Sequence, residues 1–343
     1  MEGKFGIAVT GPGVLGLVPA PPVPSSAGAR VAPPLPPLGE TEVAGESLVT
    51  LISPGTELAA FVRPAEPSRT RYPAIPGYAA VWRVQEVGSA VTAVRPGDIV
   101  LSQGGHRSRQ REREDLVWQV PAGLDPAIAV FARLMLVPMA ALGATAARPG
   151  ARVGVSGLGP VGQLAAAIFA RCGFDVVAWD PQEDRRALVS SGVRTVDGAP
   201  EVPAGPSTGS VDGLDLVLEC SGSDGAALAA VRTVRAGGDV ILVGAPWRRR
   251  TDATAHDLLR EVFHRYAVLR SGWEWQVPAE RLPFGGANLG GNVRTALRWL
   301  RNGDIRVEHL ADAHPPSAAQ AVYDGLADGT LPRPTALFDW RTG

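Results

Sequence analysis

RVGVSGLGPVG runs from Arg152 to Gly162. A short apolar stretch, Arg152 to Ser156, leads into three glycines spaced G-x-G-x-x-G, and an apolar helical pattern, Val161 to Arg171, follows. Gly157 permits the tight turn out of a strand. Gly159 lets a backbone approach a pyrophosphate, and Gly162 lets helix and strand pack closely. Pro160 and Val161 open the helix, whose first N–H groups face the phosphate charge. A second apolar stretch ends on Asp180, 18 residues beyond Gly162. A carboxylate there accepts the ribose hydroxyls of NAD(H) and repels a 2′-phosphate, while Arg185 and Arg186 leave room for NADP(H). The expectation is a dinucleotide-binding unit with NAD favoured over NADP. The competing reading is a unit of the same shape that binds no dinucleotide.

Outward from the glycine loop, strands alternate with helices. Val176 to Asp180, Leu214 to Glu219 and Val240 to Val243 read as strands, Gly225 to Val234 as a helix. Upstream, Ala127 to Ala147 is a long apolar helical run closed by Arg148-Pro-Gly150. This βαβ series predicts an α/β fold with a doubly wound, mostly parallel sheet of the Rossmann kind. Residues 201–210 read as a polar loop, and Val293 to Asn302 and Ser317 to Ala327 as helices. Before Pro121 the pattern is β: Lys4 to Val9, Ser47 to Ile52, Val81 to Val87, Asp98 to Leu101 and Leu116 to Val120. Residues 19–39 are proline-rich and read as an extended surface connection inside that domain.

The chain has 343 residues, which suits two domains. Net charge is −1, so bulk electrostatics recruits neither nucleic acid nor an anionic membrane. Cys172 and Cys220 are far apart in sequence and make neither a disulfide framework nor a zinc cage. No leader pattern and no apolar run of membrane-spanning length stands out, so a soluble cytoplasmic protein is expected.

Three further stretches carry a family resemblance. They are Ser53-Pro-Gly-Thr-Glu57, Tyr72-Pro-Ala-Ile-Pro-Gly-Tyr78 continuing to Arg95-Pro-Gly-Asp98, and Arg148-Pro-Gly150 with the glycine loop. Together they resemble the medium-chain dehydrogenase/reductase superfamily across nearly the whole chain. The resemblance implies a GroES-like β-rich catalytic domain over 1–120 and 273–343, and a Rossmann domain over 121–272. It places Ser221, Val243, Gly244 and Ser271 along the cofactor, and it implies a homodimer whose cofactor-domain edge strands pair. In zinc-dependent members a metal is held at positions matching Pro54, Tyr78 and Arg133. None of these ligates zinc in the usual way, so no zinc is expected. The set looks most like the bacteriochlorophyllide-dehydrogenase-like branch.

The resemblance also assigns candidate catalytic groups. Tyr78 either donates a proton or hydrogen bond to a substrate oxygen or fills the emptied metal cavity. Arg133 either holds an oxyanion and lowers the Tyr78 pKa, or forms a structural ion pair with an acid such as Glu57. Thr56 matches a hydroxyl relay position, and Glu57 supports the site from behind. His106 reads as a loop residue, and Arg107 to Arg113 as a solvated edge. The expected activity is zinc-independent, NAD(H)-dependent interconversion of an alcohol and a ketone on a small secondary-metabolite-type substrate. Alternatives are reduction of a conjugated C=C bond, epimerisation with retained NAD, and dinucleotide binding without catalysis.

Overall fold

The computed structural model describes residues 5–19, 37–59, 72–200, 212–283 and 286–342. The middle of the proline-rich tract, Lys4 and the loop over 201–210 lie outside these residues. The chain divides into two compact units, one of residues 1–133 with 310–343, the other of 134–309.

The first unit opens with a hairpin, β1 (Phe5–Gly11) and β2 (Val14–Pro19), turned at Gly13 with φ +72. Then come β3 (Glu42–Leu51), the helical turn α1 (Pro54–Glu57), β4 (Ala80–Val87), β5 (Ile99–Ser102), β6 (Arg109–Arg113) and β7 (Val117–Gln119). Period-2 patterning shows in β4, where Trp82 and Val84 are buried and Arg83 and Gln85 face out. The Arg107–Arg113 run is not a simple solvated edge: β6 pairs antiparallel with β3 along five registered residues. Its charges are matched to neighbours. Arg109 meets Glu86 at 2.5 Å, Arg111 pairs with Glu42, and Gln110 is buried with its amide on Ser47 Oγ at 2.9 Å. The unit closes with α2 (Pro126–Ala129), capped by Asp125, and the start of α3 (Ala132–Ala144). One helical run among the described residues, Pro126–Ala144, is long and apolar enough to cross a membrane by length and composition, and its apolar window is 67% buried in the protein.

The second unit holds β8 (Arg152–Ser156), α4 (Pro160–Arg171), β9 (Asp175–Trp179), α5 (Glu183–Ala187), β10 (Arg194–Val196), β11 (Leu214–Glu219), α6 (Asp224–Thr233), β12 (Val234–Leu242), α7 (Ala255–His264), β13 (Val268–Ser271) and α8 (Leu289–Asn302). Its six strands are parallel in the order β10-β9-β8-β11-β12-β13. The order reverses between β8 and β11, which makes the C-terminal ends of those two strands the switch point where such sheets take ligands. Val177, Trp179, Val217, Val231 and Val240 form one apolar cluster beneath it. Each such side chain contributes about 1.5–3 kcal/mol on burial.

The chain then returns to the first unit as β14 (Ala311–His314), α9 (Ala319–Asp328) and β15 (Thr335–Asp339). The first unit's sheet runs β14-β15-β3-β4-β5-β7, with β6 also on β3. Ile7, Val9, Ile52, Val322, Tyr323 and Phe338 bury together, so the hairpin and the return segment share one core. The architecture is thus a parallel Rossmann-type sheet and a β-rich unit, as the sequence reading expects. Unit boundaries differ from the expected 120/121 and 272/273. Residues 121–133 group with the β-rich unit, where α2 lies against β3 and β4. Residues 273–309 group with the parallel sheet, where Arg171 on α4 pairs with Asp304 at 3.6 Å and stacks over Trp299 of α8. The edge strand β13 ends at Ser271, and a 3-10 turn, Glu274–Gln276, follows it.

Candidate active site

The second unit's ligand-binding end is built from glycines. Gly157 has φ +85, a conformation that favours glycine, and a side chain there would meet the Ser221 backbone N at 2.8 Å. A Cβ on Gly162 would stand 1.8 Å from the Gly157 carbonyl oxygen, so helix α4 can seat only on a glycine. Gly159 differs. It caps α4, and nothing lies within 4 Å of an added Cβ. Pro160 takes the first helical turn, where its missing N–H costs nothing. An open face at Gly159, beside the free N–H groups of a helix N-terminus, fits a pyrophosphate. Ser221, Val243, Gly244 and Ser271 lie at the C-terminal ends of β11, β12 and β13 on the same sheet edge. Val243 and Gly244 both donate to the Glu219 carbonyl, at 2.8 and 2.7 Å.

Asp180 closes β9 with its side chain only 4% exposed. One carboxylate oxygen accepts from Leu158 N–H in the glycine loop at 2.8 Å, the other from Gln182 N–H at 2.9 Å. The residue therefore shapes the loop as well as offering charge. Arg185, 42% exposed, sits 3.5 Å from the same carboxylate, and Arg186 donates to the Asp180 carbonyl at 2.7 Å. A second acid, Glu219, escaped the sequence reading. It is buried and accepts from Ser221 N–H at 2.8 Å, Gly222 N–H at 3.1 Å and the Ser221 hydroxyl. Burial raises its pKa against these donors. The signal was present in Leu218-Glu-Cys-Ser-Gly222, where an acid closes an apolar strand at a glycine turn. Cys220 beside it has its thiol pushed well up by burial, consistent with a packing role.

All four candidate catalytic residues fall in the first unit. Tyr78 is half-buried and its hydroxyl donates to Ser53 Oγ at 2.5 Å, with Thr56 a second hydroxyl partner. Arg133, 1% exposed, stacks its guanidinium 4.7 Å from the Tyr78 ring centroid. Arg133 pulls the Tyr78 pKa down, as expected, but other effects outweigh it. Burial raises the phenol above its ordinary value, Glu57 adds to the rise, and the pull of Ser53, Thr56 and Arg133 does not overcome them. The Tyr78 phenol therefore keeps its proton at neutral pH.

Glu57 is fully buried and three donors hold it. Ser53 N–H donates to Oε1 at 2.6 Å, the Tyr323 hydroxyl to Oε2 at 2.5 Å, and His106 Nε2 lies 3.0 Å from Oε2. His106 thus lies in the loop between β5 and β6, as expected, but with no exposure and against the Glu57 carboxylate. Neither Ser53 nor Tyr323 was singled out from sequence. Tyr323 is 266 residues from Glu57, a separation at which no local pattern speaks.

Zinc does not fit this donor set. Proline offers no donor, a neutral phenol is a poor ligand, and a buried guanidinium adds positive charge where the ion would sit. Among the described residues no three His, Cys, Asp or Glu side chains group as a metal site.

Comparison with known proteins follows this geometry. No family model matches the chain. Over 214 residues it is 24% identical to an alcohol dehydrogenase from Geobacillus stearothermophilus, covering 52% of this chain and 63% of that protein, less than two thirds of its length. It superposes on galactitol-1-phosphate dehydrogenase from Escherichia coli with a TM-score of 0.76 at 18% identity, over 98% of this chain and 99% of the other. A candidate zinc-binding dehydrogenase from Sinorhizobium meliloti, bound to NADP, gives 0.75 at 18% identity, over 99% and 100%. The fold is the one these dehydrogenase structures share.

The glycine loop yields a direct test. Gly162→Ala must displace backbone rather than a flexible side chain, and overpacking of this kind costs about 1–3 kcal/mol. Dinucleotide affinity, measured by calorimetric titration, is expected to fall at least about tenfold, with a lower unfolding midpoint. A variant that binds like the unmodified chain would refute the loop's assignment.

Proposed function

We propose that the chain is a zinc-free medium-chain dehydrogenase/reductase that uses NAD(H) to interconvert a ketone and an alcohol, with a secondary-metabolite-type substrate and reduction the favoured direction. The observation that carries this reading is the neutral Tyr78 phenol under a buried Arg133 cation. The nicotinamide, when bound, supplies or accepts the hydride. In reduction, Tyr78 gives its proton to the carbonyl oxygen as charge builds there, and Arg133 stabilises that charge. The Ser53 and Thr56 hydroxyls hold the phenol oxygen and lead a proton back to it. Reduction of a conjugated C=C bond is the second reading, because the same donor and cation suit an enolate.

Tyr78→Phe keeps the ring and removes only the hydroxyl. Loss of such a donor costs about 10²–10³ in turnover, with cofactor affinity unchanged. Turnover within about threefold of the original, short of the general acid range, would make Tyr78 a space-filler. NADH consumption by an enone but not by the saturated ketone would select the second reading. Elemental analysis finding about one zinc per chain, with activity lost to a chelator, would overturn the zinc-free reading.

NAD(H) is proposed over NADP(H), supported by the Asp180 carboxylate at the end of β9. Asp180→Asn retains an oxygen for the Leu158 amide and removes the charge, so titration of both cofactors is expected to show a narrowed gap. Preference for NADP(H) in the unmodified chain, with Arg185 as its partner, would reverse the assignment.

A homodimer is proposed through the edge strand β13, supported by exposed Leu259 and Phe263 on α7 and Val268 on the strand itself. Light scattering at micromolar concentration is expected to give twice the chain mass, and a monomer would count against it.

A further inference from the structure

We propose that His106 is a positioning residue for Tyr78, acting through Glu57 on the helical turn that carries the hydroxyls holding the phenol. This rests on the reading of Tyr78 given above and adds a residue to its machinery.

His106 is held on every side. Its N–H donates to the Pro76 carbonyl at 2.9 Å, and its own carbonyl accepts from Ile7 of β1 at 2.9 Å. Phe338 meets the ring edge-on at a centroid distance of 5.1 Å. Gly77, at φ +91, lies so close that an added Cβ would stand 2.8 Å from ring Nε2. The residue immediately before Tyr78 therefore rests on the imidazole.

The ring's hydrogens follow from its partners. Thr50 Oγ1 lies 2.7 Å from Nδ1 and accepts from Trp340 Nε1 at 3.0 Å. Thr50 is fully buried, so giving its own hydrogen to Nδ1 satisfies every group. Nε2–H then donates to Glu57. Tyr323, whose hydroxyl burial and Glu57 keep protonated, supplies the other donor to the same oxygen.

Glu57 passes this order to the turn. Its Oε1 takes the Ser53 amide, while the Ser53 carbonyl accepts from Thr56 at 3.1 Å and from Glu57 at 2.9 Å. The carboxylate thus closes the turn from Ser53 to Glu57, and the two hydroxyls that hold Tyr78 project from it. The link from Glu57 to Ser53 is an amide N–H, so no proton is relayed; the effect is geometric and electrostatic. The charged groups facing Tyr78 are Arg133 and Glu57, and those facing His106 are Glu57 and the Tyr323 hydroxyl. The competing explanation is that His106 only fills the core beneath β1.

The test places a fluorotyrosine at position 78 of the full chain and follows its ionisation by fluorine NMR, without substrate. Glu57→Gln removes the negative charge that opposes ionisation, so the midpoint is expected to move to lower pH. His106→Leu strips one donor from a carboxylate with no exposure. Loss of that carboxylate's charge lowers the midpoint as in Glu57→Gln, whereas loosening of the turn withdraws the Ser53 and Thr56 hydroxyls that favour the phenolate and raises it, so a moved midpoint, in either direction, is the expected result. Turnover is expected to fall about tenfold or more, the scale on which an orienting partner is felt. His106→Gln restores an N–H donor and is expected to return the midpoint to that of the unmodified chain. If His106→Leu fails to fold, judged by circular dichroism and cofactor binding, Tyr323→Phe removes the other donor and is expected to move the midpoint as well. An unmoved midpoint in Glu57→Gln, or in the folded donor-deleted variant, overturns the proposal, as does failure of His106→Gln to rescue. Because the midpoint is read without turnover, the proposed reaction can fail while this result stands.

Discussion

The first unit is organised around one buried charge. A carboxylate with no exposure costs several kcal/mol unless donors surround it. Glu57 draws its donors from three distant places: the turn after β3, the loop between β5 and β6, and helix α9 of the return segment. Thr50 and Trp340 extend the same network to β3 and the end of β15. Removing any one partner leaves polar atoms stranded in an apolar core. The return segment is therefore integral to the unit: residues 310–343 supply Tyr323 and Phe338, without which Glu57 and His106 lose partners that no nearer residue replaces.

This difference in range explains what the sequence discloses. The parallel sheet is legible because its signals are local. Arg152–Ser156 and Leu214–Glu219 are read to the residue, since an apolar run bounded by glycine or an acid needs no tertiary knowledge. The Gly157, Gly159 and Gly162 spacing likewise encodes its own geometry. Helix α7 passes unread because only one stripe, with Leu258 and Val262, reaches the core, and Leu259 and Phe263 break the polar face. Strand β6 hides in RQRER because Arg109 and Arg111 on one face are matched to Glu86 and Glu42 rather than to water, while Gln110 on the other is a buried polar residue. At the catalytic cluster the motif residues Thr56, Glu57, Tyr78 and Arg133 are legible by position. Their partners are not, because a hydrogen bond across 266 residues leaves no periodic trace.

Tyr78 shows how competing terms settle a role. Arg133 and two hydroxyls favour the phenolate; burial and Glu57 favour the phenol, and the second pair prevails. Arg133 itself remains a cation at any physiological pH, so it supplies charge without supplying or taking a proton. In the proposed reaction, the two tasks that a metal ion performs together, holding an oxygen and tuning its proton, are divided. The cation is fixed, and the proton belongs to a separate group whose affinity for it is set by its surroundings.

On the proposed reading, that division favours reduction. A site built on a neutral phenol is ready to donate to a carbonyl oxygen and must first be deprotonated to act on an alcohol. Glu57 acts in two ways: its charge opposes the phenolate, while its hydrogen bond to Ser53 fixes the hydroxyls that partly offset this around the phenol oxygen. On the proposed reading, His106 and Tyr323 act on Tyr78 through the carboxylate they both face, without touching it. The return segment, through Tyr323, thereby reaches a residue on the far side of the sequence.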